Sequence, residues 1–241
     1  MAIQFGTINS PSRKLAQGNQ YRIYANSELV VKAQRRINQK ITRFPFPLNL
    51  PTASYRASDV ISEKVLPFEI KPSCECSVAY FGAFPIKRNF QNAIVQERVP
   101  EDALLDQRMA KQVVLGNLPG LNAVLHGIIR FSEEVICRGL FLPDPVPSNF
   151  CMHGKEMKLL DCGMLQTDRE QVVKVLTESD GYQKYIENFP IVLGFYFYSL
   201  MRATALSAER YERNLVALGS FKNELTELSR PERIADLWGS A

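Results

Sequence analysis

Between Arg13 and Ala33 the chain alternates short β-prone runs with turn residues: "RKLA", then Gly18-Asn19, then "QYRIYA", then Asn26-Ser27, then "ELVVKA". This spacing predicts three antiparallel strands joined by tight turns. Prolines cluster next in "RFPFPLNLP", which reads as an extended connection. In "ASYRASDVISEKVLPF" the apolar residues Tyr55, Val60, Ile61, Val65 and Leu66 fall near helical spacing and Pro67 closes the segment, so one helix is expected beside the sheet. Two further β-prone runs, "SVAYFGAF" from Ser77 and "NAIVQERV" from Asn92, bring the expected strands to five.

The pattern changes near Val99 to Asp102. Beyond it "PEDALLDQRMAKQVVLGN" and "LPGLNAVLHGIIRFSEEVICRG" read as helices, the second with an apolar stripe through Leu121, Val124, Leu125, Ile128, Ile129 and Val135, interrupted only by Ser132. A hairpin is expected inside this helical half, from "NFCM" through a turn at His153-Gly154 to "MKLLDC", and helix resumes at about Asp168. The most apolar segment, "FPIVLGFYFYSLM", is too short for a bilayer and carries Pro190 and Gly194, so it reads as a buried helix. The expected class is α+β, with a strand-rich part over residues 1–99 and a helix-rich part over 100–241.

A chain of 241 residues that is 46% hydrophobic can bury a core of one domain or two small lobes. Its net charge of +4 is spread over 29 basic and 25 acidic residues without a long basic run, which gives no mark of a nucleic-acid partner. The start, "MAIQFGTINSPSRK", lacks the charged-then-apolar order of a signal peptide, so the expected place is the cytoplasm, or a host cell reached without a cleavable signal. Five cysteines without framework spacing and two histidines favour free thiols over structural zinc.

The chemistry concentrates in "DPVPSNFCMHGKEMKLLDCG", residues 144–163. Asp144 and Asn149 stand five apart, and "DCG" follows across the expected hairpin. Because a hairpin returns to its start, an asparagine before it and Asp161 after it can face one hard cation through oxygen atoms. Together with "LVVKA" on the third expected strand, this order resembles the protein-kinase family, and in particular small bacterial kinase-like proteins of the PhoP-regulatory-network type and bacterial effector kinases.

The resemblance implies a bilobal fold, with a five-stranded antiparallel N-lobe carrying one helix and a reduced, mostly helical C-lobe. It implies ATP and Mg2+ as cofactors and a protein hydroxyl as acceptor. Lys32 would hold the α- and β-phosphates, Asp144 would orient the acceptor, and Asn149 with Asp161 would bind magnesium. Gly18 would turn the phosphate-covering loop, and Glu63, or Asp59 one turn earlier, would pair with Lys32. "VQERV" would be the hinge, with Gln96 at the gatekeeper position and Glu97 to Val99 along the purine edge.

The chain departs from the family pattern in four places. Only Gly18 serves the loop, Leu142 and Pro143 replace the His-Arg before the catalytic aspartate, Cys162 replaces the phenylalanine of D-F-G, and no A-P-E follows. The segment after Gly163 therefore looks very short. Two other readings remain open, a small-molecule kinase of the aminoglycoside type and a pseudokinase that binds nucleotide without turnover.

Overall fold

The computed structural model of the protein describes residues 13–17, 21–25, 28–34, 76, 78, 80–85, 92–160, 165–166, 168–178, 180–204 and 207–239. Its class is α+β, with small antiparallel sheets and a predominance of helix. Strands β1 (Arg13–Gln17), β2 (Tyr21–Ala25), β3 (Leu29–Gln34), β4 (Tyr80–Pro85) and β5 (Asn92–Glu97) form one five-stranded sheet in the order β1-β2-β3-β5-β4. All its pairs are antiparallel. The expected helix over residues 53–68 lies outside the described residues.

Strand β3 is interior to the sheet, and Lys32 sits opposite Ile23 of β2 and Ile94 of β5. Both strand edges beside it are therefore paired, and its backbone is fixed by ladders on either side. The β-branched run Val30-Val31 before Lys32 suits such a position.

The chain then turns helical, with α1 (Leu105–Leu115) and α2 (Leu118–Cys137). The continuous helix expected from Pro100 is split, because Leu104 adopts an extended backbone (ψ 133°) and bridges Cys151 of the hairpin. A short 3-10 turn, Glu101–Ala103, precedes that break. Between the two helices Gly116 takes φ 65° and Asn117 caps α2, its Oδ1 accepting the Gly120 N–H at 3.2 Å. On α2 the stripe of Leu121, Leu125, Ile128, Ile129 and Val135 is buried, and so is Ser132, whose hydroxyl donates to the Ile128 carbonyl at 2.8 Å. That internal bond lets a polar residue sit in an apolar stripe.

Strands β6 (Phe150–His153) and β7 (Glu156–Leu159) make the hairpin. Its turn falls one residue later than expected, at Gly154-Lys155, since Gly154 takes φ 66°. Phe150, Cys151 and Leu159 are fully buried, and Phe150 meets Phe131 of α2 edge-on at 5.6 Å. The turn end of the hairpin lies close over α2, where a Cβ on Gly127 would come within 2.9 Å of the Met157 methyl.

Four more helices follow: α3 (Arg169–Glu178), α4 (Asp180–Ala203), α5 (Ala208–Leu228) and α6 (Pro231–Gly239). Asp168 opens α3 as expected, its Oδ1 accepting the Gln171 N–H at 3.0 Å. Residues of all six helices join one core, from Leu105 and Leu121 through Tyr182 and Phe221 to Trp238. The segment from Phe189 to Met201 does not form a buried helix. It buries Phe189, Leu193 and Phe197 but exposes Ile191, Phe195 and Tyr198, so it is one flank of α4 rather than its whole girth that meets the core. Among the described residues no helix is long and apolar enough to cross a membrane.

Candidate active site

Three prolines shape the loop before the hairpin. Pro143, Pro145 and Pro147 are buried while Asp144 and Val146 between them stay half-buried. Proline fixes its own φ and biases the residue before it to extended backbone, so alternating prolines hold an extended track with a two-residue period.

A 3-10 turn, Pro147–Asn149, then brings Asn149 back toward Asp144. The Asn149 Nδ2 donates to the Asp144 carbonyl at 3.2 Å and lies 3.4 Å from its Oδ2. With the amide's donor side engaged there, its Oδ1 is the atom left to serve as an acceptor or metal ligand. The Leu160 N–H donates to the Asn149 carbonyl at 2.8 Å, so the hairpin returns to where it began.

Lys32 reaches this place from the five-stranded sheet. Lys32 is buried, 6% exposed, and its ammonium donates to the Leu160 carbonyl. A buried cation requires oxygen partners, and this one belongs to the residue directly before Asp161. The approach to β4 and the end of β5 also meet the hairpin: the Val78 N–H donates to the Leu159 carbonyl at 3.1 Å, and Glu97 Oε1 lies 3.1 Å from His153 Nε2.

Lys32, Asp144, Asn149 and the chain just before Asp161 are thus brought together from separate parts of the sequence. Asp161 itself lies outside the described residues, as do Gly18, Glu63 and Asp59. Gln96 and Val99 are buried, and Glu97 is half-buried at the end of β5. Val99 packs with Val78, Ala103 and Cys151 where the sheet meets the hairpin. Strand β5 ends at Glu97, two residues short of the expected run, and the Arg98 N–H donates to the Glu28 carbonyl at 2.9 Å.

Tyr185 is the residue that the sequence did not point to. Its hydroxyl donates to Asp144 Oδ1 from the first turns of α4. Burial first, and then the neighbouring Asp144 charge and the hydrogen bond to it, push the Tyr185 phenol well above its ordinary range, so it stays protonated and keeps donating. Tyr185 stacks on Tyr182 at 6.0 Å, and Tyr182 meets Phe141 at 6.0 Å, which lies on the strand-like approach to Asp144. The tyrosines stand three apart on one helix face, a common core pattern that gives no hint of an aspartate partner elsewhere in the chain.

The chain is also pinned after the hairpin. Phe141 and Gln166 exchange both backbone hydrogen bonds, at 2.9 and 2.8 Å, and Leu165 and Gln166 are buried. Little chain therefore separates Gly163 from α3. Among the described residues there is no group of three or more His, Cys, Asp or Glu that could hold a metal ion. Comparison with protein-family models and with curated proteins finds no match to this chain.

Proposed function

We propose that the protein is an ATP- and Mg2+-dependent phosphotransferase with a kinase-like bilobal fold, acting on a hydroxyl of a protein substrate. One observation carries the reading: the ammonium of the buried Lys32 bonds to Leu160, Leu160 bonds to Asn149, and Asn149 bonds to Asp144. Three of the positions that the reading assigns to phosphate, metal and acceptor are thereby linked, and the fourth, Asp161, is next in the chain after Leu160. The strand order β1-β2-β3-β5-β4, with Lys32 on an interior strand, supports the same reading.

In this reading Lys32 neutralises nucleotide phosphates, and Asp144 accepts or orients the acceptor hydroxyl proton. Asn149 Oδ1 and Asp161 offer hard oxygen atoms that suit magnesium. When bound, magnesium would offset charge on the transferring phosphoryl group. Tyr185 and Asn149 fix the Asp144 carboxyl group from two sides. They take over the orientation that the absent His-Arg pair would otherwise supply.

The contact between Tyr185 and Asp144 also favours a second reading, a pseudokinase that binds nucleotide without turnover, because the carboxylate already holds a donor. Incubation with γ-labelled ATP and Mg2+, followed by separation of labelled protein from labelled small molecules, decides between the two. Label in protein that disappears in Asp144→Asn supports the phosphotransferase. Label in a small molecule would move the assignment to an antibiotic-type kinase, and no transfer despite nucleotide binding to the pseudokinase.

A further inference from the structure

The hairpin carries the candidate active site at its open end and a second feature at its turn end. There, α2, the hairpin turn and the start of α1 enclose a groove of about 610 Å3. It falls within the range of ordinary ligand sites, roughly 300–1,000 Å3.

Among the described residues the charge in this groove is one-sided: Arg108, Arg130, Arg138, Lys155 and Lys158 line it against two carboxylates, Glu134 and Glu156. Glu156 is already paired with Lys158 at 3.1 Å. Glu134 stands one helical turn from Arg130 on α2. Arg108 is oriented by its Nε–H, which donates to the Asp102 carbonyl at 2.9 Å. Arg108, Arg130 and Lys155 are exposed, as charges that meet an incoming anion must be.

The floor is apolar. Val124, Met152 and Met157 line it and are half-buried, and thioether side chains adapt to varied apolar partners. A cationic rim over an apolar floor suits a peptide segment that carries both carboxylates and aliphatic side chains. Single-stranded nucleic acid fits less well, because it is held by exposed aromatic rings that stack on bases. The aromatic residue lining this groove is Phe131, which is buried.

We propose that this groove is a docking site for an acidic segment of a partner protein, whose carboxylates meet Arg108, Arg130 and Lys155 while an aliphatic residue seats against Met157. The site does not depend on the phosphotransferase reading, and its test requires no turnover.

The test is fluorescence anisotropy on the full chain with a fluorescein-labelled peptide of repeating Glu-Leu-Glu-Glu units. Binding should weaken with added salt, and a peptide with Ser in place of each Leu should bind markedly less well. The double variant Arg108→Glu, Arg130→Glu should lose roughly tenfold or more in affinity, since each exposed ion pair is worth a factor of a few. Lys155→Glu, on the opposite wall, should weaken binding independently, with circular dichroism used to establish that each variant is folded. The proposal is overturned if the glutamate-leucine peptide does not bind at low salt, or if the charge reversals leave its affinity unchanged. It is likewise overturned if the serine peptide binds equally well, or if an oligo(dT) strand or inorganic phosphate binds more tightly.

Discussion

Tyr185 donates its phenolic hydrogen to Oδ1 of Asp144 across 41 residues of sequence. A hydrogen bond from a buried neutral donor to a carboxylate is worth about 1.5–3 kcal/mol. Tyr185→Phe removes that bond and little volume, so the melting temperature should fall by about 5 °C, as read by differential scanning fluorimetry. If Asp144 orients an acceptor, the same variant should lower kcat by roughly tenfold and leave the KM for ATP unchanged. A rise in kcat would mean instead that Tyr185 holds Asp144 out of use, as a pseudokinase would have it.

Lys32 and Asp144 should fail in different ways. In the proposed reading Lys32 serves phosphates in the ground state and the transition state, so Lys32→Ala should weaken nucleotide binding. In the same reading Asp144 meets only the acceptor, so Asp144→Ala should spare nucleotide binding and cost on the order of 10² to 10⁴ in rate. Titration with a fluorescent ATP analogue beside a turnover assay separates the two, and equal losses of nucleotide affinity would refute the assignment. Asp161→Asn should abolish transfer and raise the Mg2+ concentration needed for nucleotide binding.

Control by phosphorylation after "DCG" is not expected. Gln166 is bridged to Phe141, and Asp168 caps α3, which leaves little chain there to be ordered by a phosphate. Phosphatase treatment of the protein should leave its activity unchanged. Loss of most activity, restored by autophosphorylation between Gly163 and Gly181, would show a switched enzyme.

Burial is the main cause that raises the Cys151 thiol from 9.0 to about 11, with the Glu97 charge acting in the same direction and Lys158 opposing it. Tyr182 and Tyr185 are also displaced upward, chiefly by burial. Groups that ionise more readily in the unfolded chain contribute fully to stability below their unfolded values, and that contribution is lost as pH rises toward the folded ones. The melting temperature should therefore hold to about pH 9 and fall between pH 9 and 11. At pH 8, iodoacetamide should modify the half-buried Cys137 well before Cys151, as read by peptide mass spectrometry, and equal rates would contradict the burial of the hairpin.

Features set by local sequence were the legible ones. The strands β1, β2 and β3 and the hairpin that returns around Gly154 can be read directly, because backbone preference and strand period decide them. The break at Leu104 could not be read, since a bridge to Cys151 overrides the helical pattern of the residues around it. Apolar content likewise misled over Phe189 to Met201, where hydropathy does not tell which flank of α4 has a neighbour. Tyr185 left no signal for a similar reason: its partner is chosen by how α4 crosses the proline loop, and an aromatic pair three apart on a helix is compatible with any core.

The close approach of Met157 to Gly127 limits how this protein can vary. Any side chain at position 127 takes space that the Met157 methyl now fills, while a shorter residue at 157 would vacate it. The two positions should trade volume across descendants of this sequence, a larger residue on α2 accompanied by a smaller one on β7. A lineage that enlarged both would have to swing the side chain at 157 off α2, and with it part of the apolar floor of the cationic groove.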